Sequence, residues 1–410
     1  MSISEGVKLL FDITKLYKTD NYGFYRSGIF WVTYNLLKHF LQDSRYKITL
    51  FSEFTYPKTN FDMIDINISQ IPYVSQKYSI NTGKVKKTLF NKSFNASYYD
   101  AYFNSAFFSK LEDENLEQFY LLHDAIPMIL SDKYPEKFVR NFKEFYNNLS
   151  PSTYCFCISE SCKKDFNKLF NRLNPNNFEV VYNASSQNFR PNKDDTIFYK
   201  MINKYSLPLK NDDKYIFTIS NLADEKKNLL FTLGSYMKML EEYKISNLYF
   251  ILAGYGHAYL QQKLKDAFPS LYEKYKNKII FLGYVDDNDV NVMYSNSLFF
   301  SFISLYEGFG LPLIEAMQSG TPVLTSNVSS IPEVVDDAAI CISPLDEAEC
   351  IKKMFLLYSD NQLRENLISK GIKRAKFFSW DKTYKLISDK IYYNVSLSKR
   401  RDLENDVEKI

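Results

Sequence analysis

Short, almost uninterrupted apolar runs recur along this chain, and amphipathic stretches separate them. KYIFTIS (214–220), LYFILAG (248–254), KIIFLGYV (278–285), SLFFSFI (297–303), TPVLTS (321–326) and AAICIS (338–343) follow one another in this way. A short apolar run without polar alternation fits a strand buried on both faces, and such strands belong to parallel sheets whose crossovers are helices. The first half repeats the pattern with VKLLFDIT (7–14), YKITLFSE (46–53), FYLLHDAIP (119–127), TYCFCISE (153–160) and FEVVYNAS (178–185). Between them, IFWVTYNLLKHFLQ (29–42) has helical spacing and SESCKKDFNKLF opens a helix on a serine cap. Residues 186–212, with Pro191, Pro208 and many polar side chains, read as a linker. The stretch 55–110 is aromatic, basic and irregular. The alternation predicts an α/β chain of two doubly wound, Rossmann-like parallel-sheet domains facing a central cleft, with ligands at the carboxyl ends of the strands. The domains are expected at 1–190 and 191–383, and a helical segment, 384–410, is too short to be a domain and is expected to pack back on the first.

A length of 410 residues fits two domains, and 45% hydrophobic residues suffice for two cores. A formal net charge of +3 offers no concentrated basic excess, so nucleic acid is not an expected partner. Five scattered cysteines without a C-x-x-C pair, and three histidines, argue against structural zinc and read as buried, reduced thiols of a cytoplasmic protein. The N-terminus lacks the charged and long apolar regions of a signal peptide, and no apolar run approaches a membrane span. The Asn-x-Ser triplets at Asn95 and Asn183 are chance matches in an Asn- and Ser-rich chain.

The most informative stretch is LYEGFGLPLIEAMQSGTPVLTS (305–326). It follows a buried strand. Pro312 suits a first helical turn and Gly320 a left-handed stop. Glu307 is therefore expected on the loop and Glu315 in the first turn of the helix. Gly308 and Gly310 let the backbone bend and bring its N–H groups near a ligand. A carboxylate at a helix start is suited to accept hydrogen bonds from neutral hydroxyls, such as those of sugars. The local pattern also fits a solvated Glu307 and a Glu315 that merely complements the helix dipole.

The Glu–seven residues–Glu spacing in EGFGLPLIEAMQSGTPVLTS closely resembles the signature of retaining GT-B glycosyltransferases of family 4. Further stretches agree: SSIPEVVDDAAICISPLD (329–346), FLGYV (281–285), FFSWDKT (377–383), LLHDAIP (121–127), ISES (158–161) and VVYNAS…F-R-P (180–191). The resemblance covers most of the chain and is strongest in 214–383. It implies the GT-B fold, with an acceptor-binding N-terminal domain and a nucleotide-sugar-binding C-terminal domain. Residue by residue, it assigns Glu315 to the ribose hydroxyls and Glu307 to the transferred sugar. Phe309, Gly310 and Leu311 line the donor, the first two through backbone amides. Tyr284 and Val285 lie at the nucleobase strand end, and Gly254 in a turn near the nucleotide. The diphosphate needs cations. The family usually supplies an Arg after the first strand of this domain and a Lys followed by Asn. Here Lys227-Asn228 fits the second element, Asn221 stands where the Arg often is, and Lys226 is a second candidate; a KK pair taken alone is more often a solvated surface feature. His123, with Asp124, resembles the family's loop near the donor sugar. Arg26 and Gly28 resemble its glycine loop near phosphate and acceptor.

The candidate catalytic groups are thus Glu307, His123 and Lys227. The implied reaction is front-face substitution: the leaving phosphate accepts the acceptor's proton on the face it departs from. Two carboxylates could instead serve a double displacement, but the resemblance assigns them to donor hydroxyls. No cofactor or metal is expected. DDND (286–289) contains Asp287-x-Asp289, a divalent-cation pattern, yet it reads as the polar, capping start of a helix. The combination FDIT…RSGI…HDAIP looks most like bacterial enzymes that build surface polysaccharides, capsule or O antigen, often from GDP-mannose; UDP-sugars and dTDP-rhamnose stay open. The expected partners are a nucleotide-sugar donor and a saccharide or lipid-linked acceptor. The stretch 84–103 could face such an acceptor at the inner membrane surface, or be solvated. Rival readings are a nucleotide-sugar epimerase or hydrolase on the same fold, and a non-catalytic binding protein.

Overall fold

The computed structural model describes residues 6–16, 28–52, 71, 73–75, 78–81, 84–87, 96–105 and 116–407. Arg26 and, within 84–103, residues 88–95 lie outside them. The chain forms two compact units, 1–183 with 380–410, and 184–379.

In the first unit the strands are β1 (Val7–Asp12), β2 (Tyr46–Ser52), β3 (Tyr73–Ser75), β4 (Tyr78–Asn81), β5 (Lys84–Lys87), β6 (Ala101–Asn104), β7 (Glu117–Leu122), β8 (Tyr154–Cys157) and β9 (Phe178–Val180). Seven form a parallel sheet in the order β3-β2-β1-β6-β7-β8-β9, and β4 and β5 form a separate antiparallel pair. The chain runs outward from β1 to β3 and restarts at β6, which pairs with β1, so the strand order reverses there. A crevice at that reversal is the expected ligand position in a doubly wound sheet. The helix Glu160–Leu169 starts as its sequence demands, with Ser159 Oγ accepting from Cys162 N–H. Cys155, Cys157, Cys162 and Cys350 are buried free thiols and Cys341 is partly exposed. Burial pushes up the thiols of Cys155 and Cys157.

The final helix, Trp380–Val407, belongs to this first unit. Ile387, Ile391 and Val395, at i, i+4 and i+8, are buried. Tyr384 Oη donates to Asp43 Oδ2 at 2.6 Å, Arg45 pairs with Asp389 at 2.6 Å, and Tyr46 Oη donates to the Ser388 carbonyl. No helix among the described residues is long and apolar enough to cross a membrane.

The second unit carries β10 (Lys214–Ile219), β11 (Leu248–Ala253), β12 (Ile279–Gly283), β13 (Phe299–Phe302), β14 (Val323–Ser326) and β15 (Ile340–Ile342), all parallel, in the order β12-β11-β10-β13-β14-β15. Its reversal lies between β10 and β13. β11 and β13 are buried throughout, which accounts for their unbroken apolar runs.

Two sequence expectations need correction here. The linker 186–212 contains a helix, Asp195–Lys204, capped by Asp194, whose side chain accepts from Thr196 N–H and Ile197 N–H. Pro191 and Pro208 flank this helix rather than mark an unstructured stretch. In DDND, Asp286 is the N-cap of the helix Asp287–Asn296 but makes no side-chain capping bond. Instead Asp286 and Asp289 pair with Lys204, Asp289 at 2.6 Å, and Tyr205 Oη donates to Asp289 at 2.9 Å. These aspartates tie two helices together.

Candidate donor site in the second unit

β10 ends in a loop whose geometry follows from its sequence. Asp224 accepts from Lys226 N–H and opens a short 3-10 turn, Glu225–Lys227. Asn228 then adopts a left-handed conformation, φ 56°, and its side-chain amide donates to the Pro344 carbonyl at 2.8 Å. Leu305 N–H donates to the Lys226 carbonyl at 2.8 Å, fastening this turn to the loop after β13.

The result is a compact charge cluster. Lys227 Nζ lies 2.6 Å from Glu307 Oε1 and 4.9 Å from the centre of the Phe302 ring. Lys226 Nζ lies 3.9 Å from Glu307 Oε2 and 3.5 Å from Asp224. Side-chain exposures are 15% for Lys227, 16% for Lys226 and 9% for Glu307, so the lysine pair is not a solvated surface feature. Both lysines surround the same carboxylate, where the sequence had left the choice between them open. Burial opposes the charge on Glu307, but Lys227, then Lys226, outweigh it and hold the carboxyl below its ordinary range. Burial and the neighbouring Lys226 ease the proton off Lys227 despite its pairing with Glu307.

Glu315 has a different environment. The helix Leu311–Gln318 begins after Gly310, φ 108°, with Pro312 in its first turn, and gives way to Gly320, φ 70°. Glu315 is the fifth residue of this helix, one residue further in than a start at Pro312 would place it and just past the first turn. Its Oε2 accepts from Tyr294 Oη at 3.1 Å. Tyr294 is fully buried, and its ring centre lies 5.2 Å from that of Phe217, 5.1 Å from Phe300 and 5.9 Å from Phe189. Burial raises the Glu315 pKa to about 7; the tyrosine bond works against the rise and Asp287 adds to it. The two glutamates of one motif are thus held in opposite states: Glu307 charged beside cations, Glu315 poised near neutrality beside a phenol.

Phe309 is buried, its ring 5.6 Å from Phe378, and Leu311 opens the helix. Gly254, φ 125°, has no room for a side chain: a Cβ would stand 1.7 Å from the Ser220 carbonyl oxygen. Its N–H donates to the Gly283 carbonyl at 2.6 Å, which ties the ends of β11 and β12, while Ser220 N–H donates to the Ala253 carbonyl at 3.1 Å and brings in the end of β10. Tyr284 is 51% exposed at the end of β12, while the Val285 side chain is buried, leaving Val285 only its main chain to offer a ligand. Asn221 does not behave as a substitute cation. Its Oδ1 accepts from Ala223 N–H at 3.1 Å and shapes the loop. His257 is the first residue of the helix His257–Ala267, which follows Gly256 at φ 96°.

In the first unit, His123 is buried at the end of β7 with Nε2 2.8 Å from the Ser105 carbonyl. A carbonyl only accepts, so Nε2 carries the proton. Asp124 Oδ1 accepts from Ile126 N–H at 3.0 Å. Gly28 is the first residue of the helix Gly28–Phe40. Sequence reasoning missed a polar group at the β1–β6 reversal. Asp12, fully buried, accepts from Thr14 N–H at 2.8 Å and from Tyr102 Oη at 2.6 Å, and the Asn104 amide donates to Tyr102 Oη at 3.1 Å. The signal was present as a lone polar residue ending each apolar strand, in FDIT and YFNS. Ser329 and Ser330, also missed, contact the Glu307 loop directly.

Comparison with known proteins agrees with this fold. Residues 201–374 match the family model described as glycosyl transferases group 1. O-antigen chain mannosyltransferase B of Escherichia coli is 29% identical over 262 residues, 63% of this chain and 66% of that protein. The matched stretch thus spans just under two thirds of this relative's length. A glycosyltransferase of Rickettsia africae superposes with a TM-score of 0.68 at 15% identity, over 95% of this chain and 98% of that one. Anabaena HepE, solved with UDP and glucose, gives 0.67 at 15% identity, over 94% and 99%. The match to the glycosyl transferases group 1 model is confined to residues 201–374, and the chain as a whole has the GT-B fold.

Proposed function

We propose that this chain is a retaining hexosyltransferase that moves a sugar, mannose from GDP-mannose in the favoured case, onto a saccharide or lipid-linked acceptor in bacterial surface-polysaccharide synthesis. The observation that carries this reading is the split environment of Glu307 and Glu315 on one loop and helix. A nucleotide sugar presents a ribose diol at one end, a sugar at the other and two phosphates between. Glu315, its ionised form steadied by the Tyr294 hydroxyl, is suited to accept from the diol. Glu307 is suited to the hydroxyls of the transferred sugar. Lys226 and Lys227 supply positive charge between them. The mannose preference is supported by the E. coli relative, whose name is that of an O-antigen mannosyltransferase. The nucleotide class is supported by HepE, solved with UDP and glucose.

In this reading, departure of the sugar builds negative charge on the diphosphate, and the lysines stabilise it where it forms. Glu307 occupies Lys227 before the donor arrives, so binding would exchange a carboxylate for a phosphate at that ammonium. The leaving phosphate then takes the acceptor's proton on the same face, and configuration is retained. Positioning supplies much of the rate in such a reaction.

The test is a transfer assay with GDP-, UDP-, dTDP- and ADP-sugars, with and without a saccharide acceptor, reading nucleotide release and the anomeric form of the product. Acceptor-dependent release with retained configuration is expected. Release without acceptor would mark a hydrolase, and binding without release a non-catalytic protein.

A further inference from the structure

The loop that carries Glu307 is held by two serines. Ser329 and Ser330 follow β14 and precede the helix Ile331–Val335. Ser329 has φ 53°, a left-handed conformation that a residue with a Cβ adopts at a cost. Its Oγ accepts from Glu307 N–H at 2.9 Å and donates to the Val328 carbonyl at 2.8 Å. Ser330 is fully buried, and its Oγ lies within donating reach of two carbonyls of the same loop, Glu307 at 2.9 Å and Phe309 at 3.1 Å. Both main-chain polar groups of Glu307 are therefore engaged by neighbouring serine hydroxyls. The far side of the loop is held by packing: Phe309 against Phe378, and Phe378 beneath the Arg374 guanidinium at 5.2 Å. Strained backbone persists where surrounding interactions over-determine it and where a site needs its geometry fixed in advance.

We propose that Ser329 and Ser330 are positioning residues: a two-hydroxyl clasp that fixes the main chain at 307–309 and thereby aims the Glu307 carboxylate at Lys227. Ser329 accepts the strained conformation because that conformation presents its hydroxyl to Glu307 N–H. Ser330 sets the orientation of the 307 and 309 carbonyls, which governs where the intervening peptide groups point. The consequence for catalysis rests on the donor-site reading above; the consequence for the Glu307–Lys227 pair does not.

The experiment follows both. Lysine acetylation is timed by peptide mass spectrometry on the full-length chain, with Lys238, paired to Glu347 on the surface, as the internal control. Ser330→Ala should raise the labelling rate of Lys227 at least tenfold and leave Lys238 unchanged. Ser329→Gly, which keeps the left-handed backbone without the hydroxyl, should raise it severalfold. Ser330→Thr, which keeps a donor, should label within twofold of wild type. In the transfer assay Ser330→Ala should lower kcat more than tenfold with the donor KM within threefold, because Glu315 is untouched. Wild-type labelling of Lys227 in Ser330→Ala, or a threonine variant that labels as fast as the alanine variant, overturns the clasp. If labelling moves as expected while the wild-type chain transfers no sugar, the clasp stands and the functional reading falls.

Discussion

Tyr294 Oη donates to Glu315 Oε2 across 3.1 Å, and this bond opposes the burial that lifts the Glu315 pKa to about 7. Removing it should let the pKa climb further. Tyr294→Phe should therefore bind nucleotide more weakly at pH 7, and the pH at which binding reaches half its alkaline plateau should move upward. Calorimetric titration with GDP between pH 6 and 9 measures this. An unshifted midpoint would separate Tyr294 from the site.

Glu315 also makes the unliganded protein less stable as pH rises. Its folded pKa, about 7, lies above the ordinary glutamate value of 4.5, so the folded state binds more protons between those values. By linkage, stability falls as pH rises through that window, by on the order of 3 kcal/mol for the full shift. Glu315→Gln should flatten this slope and make the free protein more stable than wild type at pH 8. Denaturant unfolding at pH 5 and pH 8 gives the comparison.

Glu307 has the opposite sign. Its pKa is depressed, so its stabilisation is present above the unfolded value and is lost as pH falls through the folded one. Glu307→Ala leaves the poorly solvated Lys227 ammonium without its carboxylate, while Lys226 keeps Asp224; breaking a buried pair in this way costs about 3–5 kcal/mol. Transfer should fall severely while nucleotide binding changes little, whereas Glu315→Ala should weaken both. Equal affinity losses in the two variants would overturn the division of roles.

Gly254 and Gly283 form a natural control pair, both at positive φ. A Cβ at Gly254 would stand 1.7 Å from the Ser220 carbonyl oxygen, while one at Gly283 meets nothing within 4 Å. Gly283→Ala should cost only the backbone term, about 1–2 kcal/mol. Gly254→Ala must also displace the end of β10 and should lower the melting temperature much further, together with nucleotide affinity. Scanning calorimetry of both variants checks the ranking.

The strands and the glutamate corner were legible because they obey local rules: buried parallel strands are apolar throughout, and Pro312 and Gly320 bracket a helix. The helix Asp195–Lys204 was hidden because its flanking prolines and polar residues imitate a linker. Asp194 was the readable sign. The depth of Glu315 in its helix, and the burial of both lysines, depend on how the loop after β10 lies against the loop after β13. No local pattern encodes that. Ser329 and Ser330 escaped for the same reason. Their partners lie more than twenty residues away, and a serine in a left-handed conformation has no sequence signature of its own.

The return of the helix Trp380–Val407 to the first unit has a consequence for the order in which the molecule can be assembled. On the ribosome, every residue of the second unit emerges before that helix does. The half of the protein that begins first is finished last: Asp43, Arg45 and Tyr46 must wait, with their docking surface uncovered, until the second unit has been synthesised. The unit whose synthesis starts first therefore cannot close its fold until the last helix has left the ribosome.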